Sequence, residues 1–336
     1  MADLTIHNAL LITHADGPRV FLQRVGEHRW ALPTTNQDDA PQIIAEVCQR
    51  FGLATTVLGV LSDDSDYAHE RSVQMRRVYA LECHSPPADA PADAPADARW
   101  ASREALAHVT QREPAHQDVL TRWLADLAAD DLAAEPPPLR APWMRLGWYA
   151  EAAAWIDAQL ARLKRRRTGP IAQHSVLAWS YVLRAPTERG LVYFKATAPF
   201  SAYEPRLTAA LAARWPADLV RVLAADQDRG WLLMADGGQM LRERLLAERD
   251  LSLWADALRH YARLQLATIP ATEDLLALGT PDRRLARLPA LFAELVADGA
   301  ALRAGTADDL TPEQLAQLPE LTPEVAHLCA RLAEFG

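Results

Sequence analysis

Lys195 lies in Val192-Tyr193-Phe194-Lys195-Ala196, a β-branched and aromatic run that predicts a strand. It is one of only two lysines among 35 basic residues, and the other, Lys164, stands in a run of arginines where either cation would serve. A charge inside a strand is costly unless it meets a partner. A compact ammonium on a flexible stem also cannot be exchanged for the planar fork of arginine at a site. The pattern therefore singles out Lys195 as a site cation, against the plainer alternative of a lysine snorkelling from an edge strand.

The elements that must position this residue belong to a chain of 336 residues, long enough for two or three domains. Half the residues are apolar and about a quarter charged, a globular composition. A net charge of -9 argues against a general nucleic-acid or anionic-membrane surface. Cys48, Cys83 and Cys329 are far apart, so neither a disulfide framework nor a zinc site is indicated. No basic-then-apolar leader opens the sequence and no long apolar run follows, which predicts a cytoplasmic protein with no membrane partner.

Residues 9–25 read as two strands around the turn Asp16-Gly17-Pro18. Trp30-Ala31-Leu32-Pro33 leads to a helix that Asp38 or Asp39 is placed to cap and Gly52 to end, with Ile43, Ile44, Val47 and Phe51 on one face. Val57–Leu61 and Arg77–Glu82 read as further strands, and Ala98-Arg99-Trp100 precedes a helix at Ser102–Leu106. This order resembles the Nudix hydrolase family over roughly residues 5–127. The family's signature helix carries an arginine–glutamate pair, two adjacent glutamates and a glycine, and its carboxylates share one helical face to hold magnesium against a diphosphate. Here Ala45-Glu46-Val47-Cys48-Gln49-Arg50-Phe51-Gly52 occupies that stretch. Only Glu46 survives; Gln49 and Arg50 stand where the paired carboxylates belong, and Thr34-Thr35 replaces the glycines after the proline. The resemblance thus implies a degenerate box, with the fold kept and the metal chemistry lost. Glu46 could equally be an ordinary surface glutamate.

The alternating Pro-Ala-Asp-Ala stretch at 86–97 cannot bury a core and predicts an extended loop. A helix is predicted over His116–Ala128, and Glu135-Pro136-Pro137-Pro138 with Pro142 marks a linker around which the two halves are expected to fold separately. A long amphipathic helix then runs to about Leu163 and ends in Lys164-Arg165-Arg166-Arg167, cations that suit the negative end of a helix. Trp179–Arg184 and Leu191–Ala196 predict a hairpin, Pro205–Arg214 a helix, and Leu219–Ala224 with Trp231–Met234 a second hairpin. Beyond Asp236-Gly237-Gly238 the pattern is helical, at Leu251–Ala267, Leu285–Val296 and Pro323–Phe335.

Val192–Ala196, Tyr203-Glu204 and Gly230–Asp236 together resemble the small lobe of protein-kinase-like phosphotransferases, specifically the aminoglycoside phosphotransferase and choline kinase branch, over about residues 142–336. The resemblance implies that Lys195 pairs the phosphates of ATP, held in place by Glu204, and that Leu233, Met234 and Ala235 form the hinge at the adenine edge. Ser201–Glu204 also fits a capping box, Pro205 could instead make Glu204 itself the cap, and Met234 could be a core residue. The branch works through a His-Gly-Asp loop and a second aspartate that holds Mg2+; neither motif occurs in these residues. The resemblance therefore implies a chain that ends before the catalytic loop, with its Mg2+ ligands in a missing lobe.

The resulting expectation is an α+β chain of two domains. Residues 1–128 form a Nudix-like α/β/α sandwich, 129–141 a linker, 142–236 a kinase-like small lobe and 237–336 the helical start of a truncated large lobe. Its function is that of an ATP-dependent phosphotransferase relative that binds nucleotide without transfer; the small-molecule acceptor is unspecified and nucleic acid is not a partner. The alternatives are a Nudix-type phosphohydrolase acting on a nucleoside diphosphate derivative and a non-catalytic nucleotide-sensing or scaffold protein.

Overall fold

The computed structural model describes residues 3–17, 19–25, 29–69, 72–85, 97–106, 114–130, 140–299, 301–302 and 310–335. The expected loop at 86–97, apart from its last residue, and the triple proline at 136–138 lie outside the described residues. The chain divides into two compact units, Met1–Leu266 and Ala267–Gly336.

In chain order the first unit contains β1 (Asp3–Ile6), β2 (Asn8–His14), β3 (Val20–Arg24), β4 (Trp30–Ala31), β5 (Thr34–Thr35), α1 (Ala40–Phe51), β6 (Thr55–Asp63), β7 (Asp66–His69), β8 (Ser72–Met75), β9 (Arg77–Cys83), β10 (Ala98–Ala101), α2 (Arg103–Leu106), α3 (Pro114–Asp130), α4 (Trp148–Arg162), β11 (Ala172–Leu177), β12 (Ser180–Thr187), β13 (Gly190–Thr197), α5 (Glu204–Arg214), β14 (Val222–Asp226), β15 (Trp231–Ala235), α6 (Leu241–Glu248) and α7 (Ser252–Thr268), the last running into the second unit. A seven-stranded sheet has the order β10-β3-β2-β9-β6, with β4 and β5 attached to β3 and β2. Strand period puts alternate side chains on opposite faces. Leu11, Val78 and Ala80 pack with Leu120, Trp123 and Leu124 of α3, and Leu10, Ile12, Tyr79 and Leu81 pack with Ile43, Val47 and Phe51 of α1. The sheet is thus covered on both faces. A small sheet of order β1-β8-β7 lies apart from it.

The other large sheet has five strands in the order β11-β12-β13-β15-β14, all antiparallel. One face buries Tyr181, Leu183, Val192 and Phe194 against Ala152, Ile156 and Leu160 of α4. Trp148, Trp155, Tyr181, Phe194 and Trp231 meet there mostly edge to face, with ring centroids 4.9–6.1 Å apart. Edge-to-face pairs match a positive ring edge to a negative ring face and add about 0.5–1.5 kcal/mol each beyond area burial. Strand β11 escapes the sequence pattern, because Ala172-Gln173-His174-Ser175 shows no apolar alternation.

The second unit contains α8 (Thr272–Ala277), α9 (Leu288–Ala297), α10 (Pro312–Gln317) and α11 (Thr322–Ala333), with α9 against α11. Thr311 and Gln314 close a reciprocal capping box on α10. No described helix is long and apolar enough to cross a membrane.

The two large sheets are not independent, contrary to the expectation of few contacts across the junction. Strands β6 and β11 are both terminal in their sheets and lie side by side. Gln173 is only 5% exposed; its Nε2 donates to Val57 O at 2.8 Å and its Oε1 accepts from Val57 N at 2.8 Å. One carboxamide thereby closes both backbone groups of an edge residue. Nearby, Gly147 N at the start of α4 donates to Glu82 Oε1 at 2.6 Å, and the rings of His84 and Tyr149 lie 4.7 Å apart. Burial pushes the Glu82 carboxyl up to about 6 and the His84 imidazole down to about 4.

Gln173→Leu should lower the unfolding free energy by about 2–4 kcal/mol, since two buried backbone groups lose their partner. Urea titration reads this directly, and a loss under about 1 kcal/mol would mean that water replaces the amide without penalty. Glu82 has a folded value above its ordinary 4.5, so the stability it brings is complete below that pH and lost as pH rises through about 6. Glu82→Gln keeps an acceptor for Gly147 but cannot ionise. Its stability relative to wild type should therefore rise by about 2 kcal/mol from about pH 4 to about pH 7. A difference that stays constant over this range would uncouple the carboxyl from folding.

Candidate functional site

Helix α1 buries Ile43, Val47 and Phe51, which leaves Glu46 and Arg50 one turn apart on another stripe and Gln49 exposed. Gly52 ends the helix at φ 66°, a left-handed position that glycine reaches without a Cβ clash. Asp39 occupies the N-cap position, but no side-chain cap bond is made there. Arg50 Nη1 donates to Glu46 Oε1 at 2.5 Å and to Thr34 O at 2.6 Å, while Nη2 donates to Gln23 Oε1 at 3.1 Å. Thr35 Oγ1 donates to Glu46 Oε2 at 2.5 Å. Both carboxylate oxygens therefore have donors, and the one acid is neutralised by the guanidinium beside it.

A magnesium ion prefers oxygen ligands and near-octahedral geometry. One occupied carboxylate, one amide and one guanidinium do not fit it. Among the described residues there is also no group of three or more His, Cys, Asp and Glu that could hold a metal. The sequence points to Glu46, Gln49 and Arg50 but not to Thr35 and Gln23, which tie the cluster to β5 and β3. The Thr34-Thr35 pair was the one available signal, and it reads as a lost glycine turn until the hydroxyl is seen on Glu46.

Lys195 is on β13, the middle strand of its sheet, opposite Val182 on one side and Leu232 on the other. The alternative of a lysine snorkelling from an edge strand is thereby overturned. Its neighbours Phe194 and Ala196 face the aromatic core, so alternation sends Lys195 to the opposite face. There Nζ donates to Glu204 Oε1 from α5. The two side chains are 26% and 31% exposed, so the pair is partly screened by solvent. Glu204 is the first residue of α5, with Tyr203 in the cap position and no side-chain cap bond, so neither capping alternative holds. A carboxylate in the first turn is favoured by the positive end of the helix.

Gly230 sets the end of this strand: at φ 68° its carbonyl accepts from Thr197 N at 3.0 Å, and a Cβ there would meet Thr197 Oγ1 at 2.8 Å. Leu233, Met234 and Ala235 close β15. Leu233 is buried in the aromatic core and paired on both sides, with Phe194 and Ala224. Met234 lies opposite Tyr193, and Ala235 N donates to Arg221 O at 2.9 Å. The Glu46–Arg50 cluster joins α1 to β5 and β3 of the seven-stranded sheet, whereas Lys195 belongs to the five-stranded one.

No protein-family model matches the chain, and no curated protein matches it. Solved structures similar to somewhat over a third of the chain include proteins described as Nudix hydrolases. They include a MutT protein from Methanosarcina mazei, at 17% identity and TM-score 0.26, covering 36% of this chain and 93% of that one. A NUDIX-family hydrolase from Clostridium perfringens has 14% identity and TM-score 0.28 and covers 38% and 98%. A structure described as an oxidoreductase of Sinorhizobium meliloti has 23% identity and TM-score 0.26, and this chain spans 37% of its length.

The closed state of Glu46 predicts no tight Mn2+ binding by the wild-type chain in the electron paramagnetic resonance spectrum of the free ion. Gln49→Glu combined with Arg50→Glu restores carboxylates at the i, i+3 and i+4 positions and should tighten binding at least tenfold. Wild-type binding that Glu46→Gln abolishes would contradict the assignment of Arg50 as the resident cation.

Proposed function

We propose that residues 142–336 are the ATP-binding part of a small-molecule phosphotransferase resembling the aminoglycoside phosphotransferase and choline kinase family, joined to a Nudix-like domain over residues 1–128 whose metal chemistry is lost. The division places a linker at 129–141, a small lobe at 142–236 and large-lobe helices at 237–336. The observation that carries this reading is the ion pair of Lys195 with Glu204. A lone ammonium on the central strand of a sheet is fixed by a carboxylate delivered from a separate helix. An ammonium has three N–H donors. Glu204 takes one, which leaves capacity for phosphate oxygens on the half-open face. Strand β15 runs beside β13, with Leu232 opposite Lys195 and Ala235 opposite Val192, and in this reading Met234 and Ala235 meet the adenine edge, with Leu233 contributing through the core behind them.

In this reading the 336 residues bind nucleotide and carry no base for phosphoryl transfer, because the His-Gly-Asp loop pattern is absent from them. The acceptor is a small molecule, nucleic acid and membrane are not partners, and the setting is cytoplasmic. Any magnesium ion that accompanies the nucleotide would find no ligand set among the residues placed here. The hydrolase alternative is disfavoured by the two occupied oxygens of Glu46. The sensing or scaffold alternative draws support from the Gln173 junction, which would let a nucleotide on one sheet be felt by the other.

ATP titration followed by tryptophan fluorescence tests the site. Lys195→Ala and Glu204→Gln should each weaken binding about tenfold, the scale of one charge-assisted hydrogen bond. Lys195→Arg should weaken it as well, because a planar fork does not replace a point charge held by Glu204. Unchanged affinity in Lys195→Arg would make the lysine a general cation and remove the basis of the reading.

A further inference from the structure

Three large apolar side chains of the first unit that remain exposed converge on one cavity: Val60 at 42%, Leu177 at 47% and Trp179 at 55%. The cavity holds about 520 Å³ and lies between β6 and the β11–β12 turn. That volume is within the range of about 300–1,000 Å³ usual for small-molecule sites. Its floor is rigid, since Leu58, Tyr79 and Trp143 are buried core residues. The space is therefore preformed, and filling it takes apolar surface out of water at little ordering cost.

The polar groups at the cavity are unequal. Asp63 Oδ2 accepts from Arg77 Nε at 2.8 Å, so those charges answer one another. Asp38 is anchored through its backbone, where its carbonyl accepts from Tyr79 Oη at 3.1 Å. Its exposed carboxylate has no ion-pair or hydrogen-bond partner among the described residues. Among the described residues one negative charge at the cavity is thus left without a counter-charge, and the indole of Trp179 and the side chains of Leu177 and Val60 line the same space. A ligand complementary to this arrangement carries one positive charge on a flat or bulky apolar body.

We propose that this cavity is a binding site for a small apolar monocation, with Trp179 and Leu177 as its apolar wall and Asp38 as its counter-charge. The site is separate from the Lys195–Glu204 pair and does not depend on the nucleotide reading. Recognition of the charge comes from Coulomb attraction to Asp38, while the apolar body packs against the indole of Trp179 and the side chain of Leu177.

The test uses the full chain and three matched probes: phenethylammonium, the neutral phenethyl alcohol and the anionic hydrocinnamate. Binding is read from the indole N–H resonance of Trp179. Phenethylammonium should shift it at millimolar concentration, with the alcohol at least fivefold weaker and the carboxylate weaker again. Asp38→Asn should erase the preference for the cation while apolar binding remains. Trp179→Ala, followed through the Gly59 amide, should lose all three probes. Both residues are exposed, so both variants should fold. Equal binding of ammonium and alcohol by wild type, a cation preference that survives Asp38→Asn, or no shift at 20 mM probe would each overturn the proposal. So would a concentration-dependent dimer that Trp179→Ala makes monomeric, since a second copy would then cover this face.

Discussion

The first unit depends on how two sheet edges are closed against each other. Strands β6 and β11 each end a sheet, and an edge strand presents backbone donors and acceptors that must find partners once buried. A continuous ladder would have fused the sheets into one. Instead a single side chain, Gln173, offers one donor and one acceptor in the spacing of a peptide group and answers both groups of Val57. The sheets keep separate orientations while no buried backbone group is orphaned at that point. Glu82 performs a related task at the start of α4, with less success, because its Oε2 is buried without a hydrogen-bond partner among the described residues. Burial of the carboxyl, which disfavours its charged form, is the physical reason it holds a proton more tightly than usual.

Two ion pairs, one within α1 and one between β13 and α5, show how context decides what a charge can do. Glu46 lies one helical turn from Arg50 and within reach of Thr35, so its oxygens are saturated from within the domain. The cluster is held between α1, β5 and β3 and functions as a tie between elements. Lys195 and Glu204 come from different elements, and Glu204 supplies only one oxygen to the ammonium. The remaining capacity of that ammonium faces the half-open side of the sheet. The aromatic cluster on the reverse side keeps β13 in place, and Glu204 then fixes Nζ at the end of its flexible stem.

Much of the organisation can be read from residue patterns. The period of Ile43, Val47 and Phe51 with Gly52 after them describes α1 to its ends, and Val192–Ala196 describes the strand of Lys195. These features are local, since side-chain period and glycine conformation need no distant partner. Strand β11 was not legible, because its Gln173 points at a neighbouring sheet and its polar residues break the alternation on which strand recognition rests.

The sequence by itself determined which residues could carry charge into structured elements and that Glu46 is the one carboxylate of the α1 stretch, with Gln49 and Arg50 after it, because residue identity alone decides those questions. Only the tertiary structure decided that Lys195 lies on a central strand, that Glu204 meets it across α5, and that Thr35 and Gln23 join Glu46 and Arg50. It also decided that the two sheets share a buried junction through Gln173. Each of these is a contact between residues distant in the chain. Such contacts are set by packing and by the need to pair buried polar groups, and no local pattern encodes them.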